Sequence, residues 1–307
     1  LMATRHTYAS TDDLRDYLAG TTYASGWTAD SGTLRGILES QSRRIDDYCG
    51  GGTFGPVTET RYFDIGGGTL RHSSQYTKTG TAVGDIGITE SLVNVVPLDG
   101  WLASATTVTA YGATDRSTSE TLTEGYNGDY WLMPYNQTPK TIFELNEDTS
   151  KTLSGGQQTF AINGSWGYTA STADVTTCDA ITSTTATSIS VSSATDLGPA
   201  QTILIDTEQI YITAISGNTL TVERGVSGTT AATHSAAATV ARFEYPELVV
   251  QACKDLAKIV YRDRDIGRTD MIGSGEEAIS RANEEAASVL STISSYRVTG
   301  TSNGIIF

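Results

Sequence analysis

The residues that could do chemistry are few and scattered. The three histidines are His6, His72 and His234. None has a second His or Cys at metal-ligand spacing, so a metal or catalytic role would need a cluster formed only in space. An ordinary surface or turn position is the expectation for each. Cys49, Cys178 and Cys253 are far apart and odd in number, fitting neither a disulfide ladder nor a zinc pattern. Buried structural thiols in a reducing compartment are the expectation. Gly50-Gly51-Gly52-Thr53-Phe54-Gly55 formally matches G-x-G-x-x-G. A dinucleotide fingerprint follows a strand and opens a helix; this run follows a helical pattern and precedes strands, so it reads as a helix stop. Carboxylate pairs such as Glu120 with Glu124 and Glu144 with Asp148 carry no context that marks general acid–base work. Aromatic residues are 8% of the chain, which argues against an aromatic-lined carbohydrate-active site built on Trp131 and Trp166. Asn136-Gln137-Thr138 and Asn163-Gly164-Ser165 match the glycosylation sequon, which has consequences only in a secreted chain. No cofactor, metal or reaction is expected.

Composition narrows the partners. The 307 residues allow one to three domains, with 38% hydrophobic residues for their cores. No run of about 18 apolar residues is present, so no membrane span is expected. The opening LMATRHTYASTDDL lacks an apolar h-region, and no secretory leader is expected. The net charge of −15 opposes binding to phosphate backbones and to anionic membrane surfaces.

The elements that must position these residues fall into three stretches. Helical patterns open the chain at 10–19, where Ser10 and Asp13 resemble a capping box. A second covers 31–49, with Leu34, Ile37, Leu38, Ile45 and Tyr48 on one stripe. Strand-like segments follow at 59–65, 92–96, 107–111, 130–133, 141–145 and 159–162. Residues 66–86 are poor in apolar residues and read as a long loop. Residues 173–242 form a small all-β module with strands at 188–191, 202–205, 210–215 and 219–222. Asp206-Thr207-Glu208-Gln209 and Ser216-Gly217-Asn218 supply hairpin turns. Helical patterns return at 246–261, opened by Pro246, and at 276–294. The expected fold class is α+β. A helical bundle forms from both chain ends (7–55 and 244–295), with a β-rich region at 56–172 and a small all-β inserted domain at 173–242. An extended C-terminal tail covers 296–307.

Read in order, these blocks resemble the head-to-tail connector, or adaptor, family of tailed bacteriophages. Tyr8-Ala9-Ser10-Thr11-Asp12-Asp13-Leu14 is similar to the family's opening helix. Leu34 through Ile45-Asp46-Asp47-Tyr48, followed by Gly51-Gly52-Thr53-Phe54, resembles its second. Val93-Asn94-Val95-Val96, Tyr130-Trp131-Leu132-Met133-Pro134-Tyr135-Asn136 and Phe160-Ala161-Ile162-Asn163-Gly164-Ser165-Trp166-Gly167-Tyr168 are similar to its strands. Tyr245-Pro246-Glu247-Leu248 through Ala257-Lys258-Ile259-Val260-Tyr261-Arg262-Asp263 resembles its proline-capped helix. The departure is the 173–242 insertion. Its Thr221-Val222-Glu223-Arg224-Gly225-Val226-Ser227-Gly228-Thr229, with Ala232 and His234, resembles a small β module of phage virion proteins.

The resemblance implies a non-enzymatic virion subunit of the neck, assembled in the host cytoplasm. It would form a ring, usually of twelve subunits, under the portal protein, joining capsid to tail and contacting a downstream tail, stopper or nozzle protein. Double-stranded DNA would pass through without specific binding, and no membrane is involved. Leu34, Ile37, Ile45, Val249, Leu256 and Val260 would pack the ring. Tyr296, Arg297, Ile305, Ile306 and Phe307 of the tail would enter the portal. A tail, fibre or decoration protein with a host- or glycan-binding β module is the alternative, and an enzyme with β domains is a third.

Overall fold

The computed structural model describes residues 5–19, 31–65, 95–111, 117–146, 149, 151, 153, 156–266 and 275–298. The 66–86 loop, His72 and the tail beyond residue 298 lie outside the described residues. Two compact units divide the chain, one comprising residues 1–57 and 169–298, the other centred on 58–168. The expected helical bundle from both chain ends is corrected. Among the described residues the chain is β-rich, with two antiparallel sheets of six strands each and four helices. The physical reason lies in what covers the helices. Their apolar stripes are too short to enclose a core by themselves, and in the first unit a β module shares that task.

In the first unit, residues 5–10 form an irregular strap leading into α1 (Thr11–Ala19) and α2 (Ser31–Cys49). The chain returns through β7 (Thr172–Cys178), β8 (Ser188–Ser190), β9 (Thr202–Ile205), β10 (Glu208–Ser216), β11 (Thr219–Glu223) and β12 (Ala238–Phe243). It ends with α3 (Glu247–Ile266), α4 (Gly275–Thr292) and a 3-10 turn at Ser294–Tyr296. The capping box at α1 is present. The Asp13 amide donates to Ser10 Oγ at 3.0 Å, and the Ser10 amide donates to Asp13 Oδ2 at 2.9 Å. Gly50, at φ +70°, ends α2 in the left-handed region with its amide on Asp46 O. α2 packs on α3 and α3 on α4.

The module's strand order is β7-β12-β9-β10-β11-β8, and its two end strands also meet. Cys178 bridges Val191, the Asp179 amide reaches Ser190 O at 3.0 Å, and the Ser192 amide reaches Thr177 O at 2.9 Å. The sheet thus closes into a small barrel, which removes the exposed edges that invite aggregation. Ile203, Ile205, Ile210, Ile212, Leu220 and Val240 fill its interior. β7 and β12, the strands that open and close the module, follow no apolar run in the sequence. Their exposed positions carry Asp174 and Thr239.

The second unit has strand order β1-β6-β2-β5-β4, with β3 added on β2. These are β1 (Val57–Ile65), β2 (Val95–Tyr111), β3 (Ser119–Leu122), β4 (Tyr130–Met133), β5 (Lys140–Leu145) and β6 (Gly156–Trp166). The segments at 92–96 and 107–111 belong to one 17-residue strand, β2. The strand shifts register between Pro97 and Leu102, and Gly100 there has φ +112°. That bend lets its first part pair with β5 and its second with β6 and β3. Leu102, Val108, Phe143, Phe160, Ile162 and Trp166 make the core. Trp166 Nε1 donates to Glu59 O at 3.2 Å, and the Arg61 guanidinium stacks 4.3 Å from the Trp166 ring centroid.

Two glycines separate close approach from backbone freedom. A Cβ on Gly164 would stand 2.3 Å from Ser104 O on β2, whereas Gly217 has open space but φ +58°. Gly164→Ala is expected to lower stability by roughly 1–3 kcal/mol through overpacking. Gly217→Ala should cost about 1 kcal/mol. Thermal melts of the two variants check this, and equal losses would contradict the close β2–β6 approach.

Candidate functional site

The strap brings the first cluster together. His6, Thr7, Tyr8, Ser10 and Thr11 are all buried. Backbone and hydroxyl bonds tie the strap to the barrel. The Thr11 amide donates to Pro199 O at 3.0 Å, Thr7 Oγ1 to Ala200 O, and Thr202 Oγ1 to Arg5 O. On the other side the Tyr8 amide donates to Ser42 Oγ of α2 at 3.2 Å. The Tyr8 hydroxyl donates to Asp46 Oδ1 and accepts the Phe54 amide at 3.0 Å. Arg43 stands 3.1 Å from Asp46 Oδ2 and also donates to His6 O. Burial, opposed by Arg43, pushes the Asp46 carboxyl up to about 7. Burial pulls His6 down to about 4. Pro56 O can only accept, so the neutral His6 ring donates from Nε2 to it at 2.9 Å, leaving Nδ1 to accept the Tyr245 hydroxyl at 2.8 Å.

The second cluster lies in the barrel. Glu208, fully buried at the start of β10, accepts five hydrogen bonds. Arg224 Nε and the Gly225 amide reach Oε1 at 2.6 and 3.0 Å. Arg224 Nη2, the Ala232 amide and His234 Nε2 reach Oε2 at 2.6, 3.0 and 2.8 Å. His234 Nδ1 meets Asp206 Oδ2 at 2.7 Å. Arg224 donates further to Ser183 O and Ala232 O. Burial alone would raise the Glu208 carboxyl. The bonds from Arg224, the Ala232 amide and His234 outweigh it and hold the group below its usual value. Every acceptor position on this carboxylate is occupied by the protein, so the cluster knots the 224–234 loop to β10 and leaves no lone pair for a ligand.

The clefts carry less. One of about 450 Å³ is lined by Asp13, Gln201, Arg242, Glu244, Tyr245 and Lys254 among others. Asp13 is held in the α1 cap and the Tyr245 hydroxyl by His6, so its acidic and basic groups do not converge as a catalytic pair. Among the described residues no group of three His, Cys, Asp or Glu could hold a metal ion. Cys49, Cys178 and Cys253 are buried and unpaired.

The residues expected from the sequence are placed as follows. Leu34, Ile37, Ile45, Val249 and Leu256 are buried within the chain's own core, and Val260 is half-buried. Tyr296 packs edge-on against Phe54 at 5.5 Å, Arg297 lies over the Tyr48 ring at 5.2 Å, and the Val298 amide donates to Cys49 O at 2.9 Å. Ile305, Ile306 and Phe307 lie outside the described residues. His6 and His234 are both buried, His6 in the strap and His234 in the loop between β11 and β12, so neither takes the surface place that was one of the two expected. Neither cluster was legible as a unit. Glu208 sits in what reads as a turn, and its partners stand 16 to 26 positions later. No family model, curated protein or solved structure matches the chain.

Two predictions follow from the buried charges. Glu208→Gln strands the Arg224 charge, with an expected loss of roughly 3–5 kcal/mol. Asp206→Asn, at a side chain 64% exposed, should change stability by less than about 1 kcal/mol. Urea melts of both variants decide it, and a small loss for Glu208→Gln contradicts the knot.

The strap cluster contains two opposed titrations. Asp46 is raised from 3.8, so its contribution is present below that value and lost as pH rises through about 7. His6 is lowered from 6.5, so its contribution is present above that value and lost as pH falls through about 4. The two offset each other where they overlap. Relative to the parent chain, Asp46→Asn is expected to gain stability as pH rises across the window, by at most about 1.4 kcal/mol per pH unit. His6→Gln should show the opposite slope. Stability measured against pH for both variants checks the signs.

Proposed function

We propose that this chain is a non-catalytic structural subunit of a tailed phage, the head-to-tail adaptor that forms a ring beneath the portal. The order of the sequence blocks supports this reading. The observation that carries it is the anchoring of residues 296–298. Tyr296 on Phe54, Arg297 over Tyr48 and the Val298 amide on Cys49 O hold the root of the C-terminal segment against the end of α2. The reading assigns the residues after Val298, through Ile305-Ile306-Phe307, to contact with a partner chain, and the portal is the partner proposed. Because Leu34, Ile45, Val249 and Leu256 are already covered within the subunit, ring contacts in this reading use other, outward-facing positions of the helices. In this reading the saturated Glu208 knot and the strap cluster tie the parts of the first unit to one another.

Cryo-electron microscopy of intact particles tests the proposal. The expected result is a ring of this chain against the lower rim of the portal, with the segment after Val298 entering it. Shortening the chain to residue 298 should leave the melting temperature unchanged and abolish portal attachment. Density on fibres or on the capsid surface would replace the adaptor reading with that of a fibre or decoration protein.

A further inference from the structure

In the second unit, β4 alternates strictly. Tyr130 and Leu132 enter the core, while Trp131 and Met133 face outward. Trp131 pairs with Glu144 of β5. The turn that follows folds Tyr135 back onto the same face, its ring 5.5 Å from Trp131 and nearly perpendicular to it, at 83°. Tyr135 is 55% exposed, and Tyr126 on the neighbouring turn is 88% exposed. With Glu124, Leu132 and Asn136, the two rings line an open cleft of about 440 Å³.

Both turns are held in shape from behind. Lys140 Nζ donates to Pro134 O at 2.6 Å and to Tyr135 O at 2.9 Å, and the Tyr135 hydroxyl reaches Glu144 Oε2 at 3.4 Å. On the other side Asp129 Oδ2 accepts the Thr123 amide and hydroxyl, each at 2.9 Å. Asn146 Nδ2 donates to Gly125 O at 3.1 Å and to Gly128 O at 2.6 Å. These bonds leave the Glu124 carboxylate and the Asn136 carboxamide with no hydrogen bond to another described residue. The cleft therefore combines two aromatic rings with two planar polar groups that form no hydrogen bond to other described residues.

That combination matches a sugar ring. The C–H edges of a pyranose are weakly positive and pack against the negative face of an aromatic ring. Its hydroxyls both donate and accept, which suits a carboxylate beside a carboxamide. The volume lies in the roughly 300–1,000 Å³ range of small-ligand sites. Glu124 and Glu144 make the rim acidic, and Lys140 is committed to backbone carbonyls, so an anionic sugar is disfavoured. We propose that the outer face of β4 and β5 with its turn is a binding site for a neutral pyranose. The site does not rest on the adaptor reading, and its presence or absence leaves that reading untouched.

The test uses the full chain, with saturation-transfer NMR and tryptophan fluorescence. The probes are the methyl glycosides of glucose, galactose, mannose and N-acetylglucosamine, with methyl glucuronide as the anionic counterpart. At least one neutral glycoside is expected to bind with a dissociation constant in the millimolar range, and the glucuronide about fivefold more weakly or not at all. Tyr135→Ala and Asn136→Ala, both at exposed positions, should each weaken binding about tenfold with unchanged melting temperature. Trp131→Phe provides a milder change of the platform if Tyr135→Ala lowers the melting temperature. No transfer from any neutral glycoside overturns the proposal. So does binding unaffected by either exposed substitution, or a tighter glucuronide. If Tyr135→Ala instead alters sedimentation of the unliganded chain, the patch is a protein contact and the sugar site is refuted.

Discussion

The first unit depends on burying a strap of chain that has almost no regular structure. Residues 5–11 lie between α2 and the barrel, and a buried backbone must pair its amides and carbonyls or lose several kcal/mol. The partners come from both sides at once. Ala200 O and Pro199 O serve from the barrel, and Ser42 Oγ and Arg43 from α2. The Tyr8 hydroxyl links Asp46 of α2 to the amide of Phe54. The strap thus makes the helices and the barrel one cooperative body, although they are far apart in the chain. The same cluster holds a carboxyl raised and an imidazole lowered by the same cause, burial, and their pH dependences oppose one another.

The barrel carries its own internal restraint. Closure through the Cys178–Val191 bridge removes the free edges, and the Glu208 knot fixes the loop that would otherwise splay from the barrel's end. A buried bidentate Arg–carboxylate pair contributes little net stability against an apolar alternative, but it is costly to break, and so it enforces one arrangement of the loop. Rigid joining of barrel and helices through charged and polar contacts, such as Tyr211 to Glu39 and Arg35 to Thr213 O, gives the module a defined position in its unit.

Local elements were legible where a periodic pattern and a boundary signal coincided. The helix over 31–49, the strand over 130–133 and the capping box at Ser10 all follow from such coincidences. The strands β7 and β12 were missed because Thr, Ala and Asp dominate them and leave no clear alternation of apolar and polar residues. β2 was read as two strands because Pro97-Leu98-Asp99-Gly100 carries turn residues and Ala103-Ser104-Ala105 shows no apolar alternation. The class was misjudged for a related reason. Amphipathic stripes at both ends imply that helices need partners, but an apolar stripe does not say whether its partner is another helix or a sheet. Leu34, Ile45, Val249 and Leu256 carry the same signal whether they face a neighbouring subunit or the chain's own core.

Spacing along the chain determined the helices over 31–49 and 246–261, the capping box at Ser10 and strands such as 130–133 and 202–205. These are properties of neighbours along the chain, governed by propensity and period. Only the tertiary structure decided that Glu208, Arg224 and His234 share a buried site, that His6 and Asp46 carry opposed shifts, and that Trp131 and Tyr135 frame a cleft beside Glu124 and Asn136. Each of these depends on desolvation and on hydrogen-bond geometry between residues far apart in sequence or on separate turns. Both quantities come into existence only when the chain has closed around them.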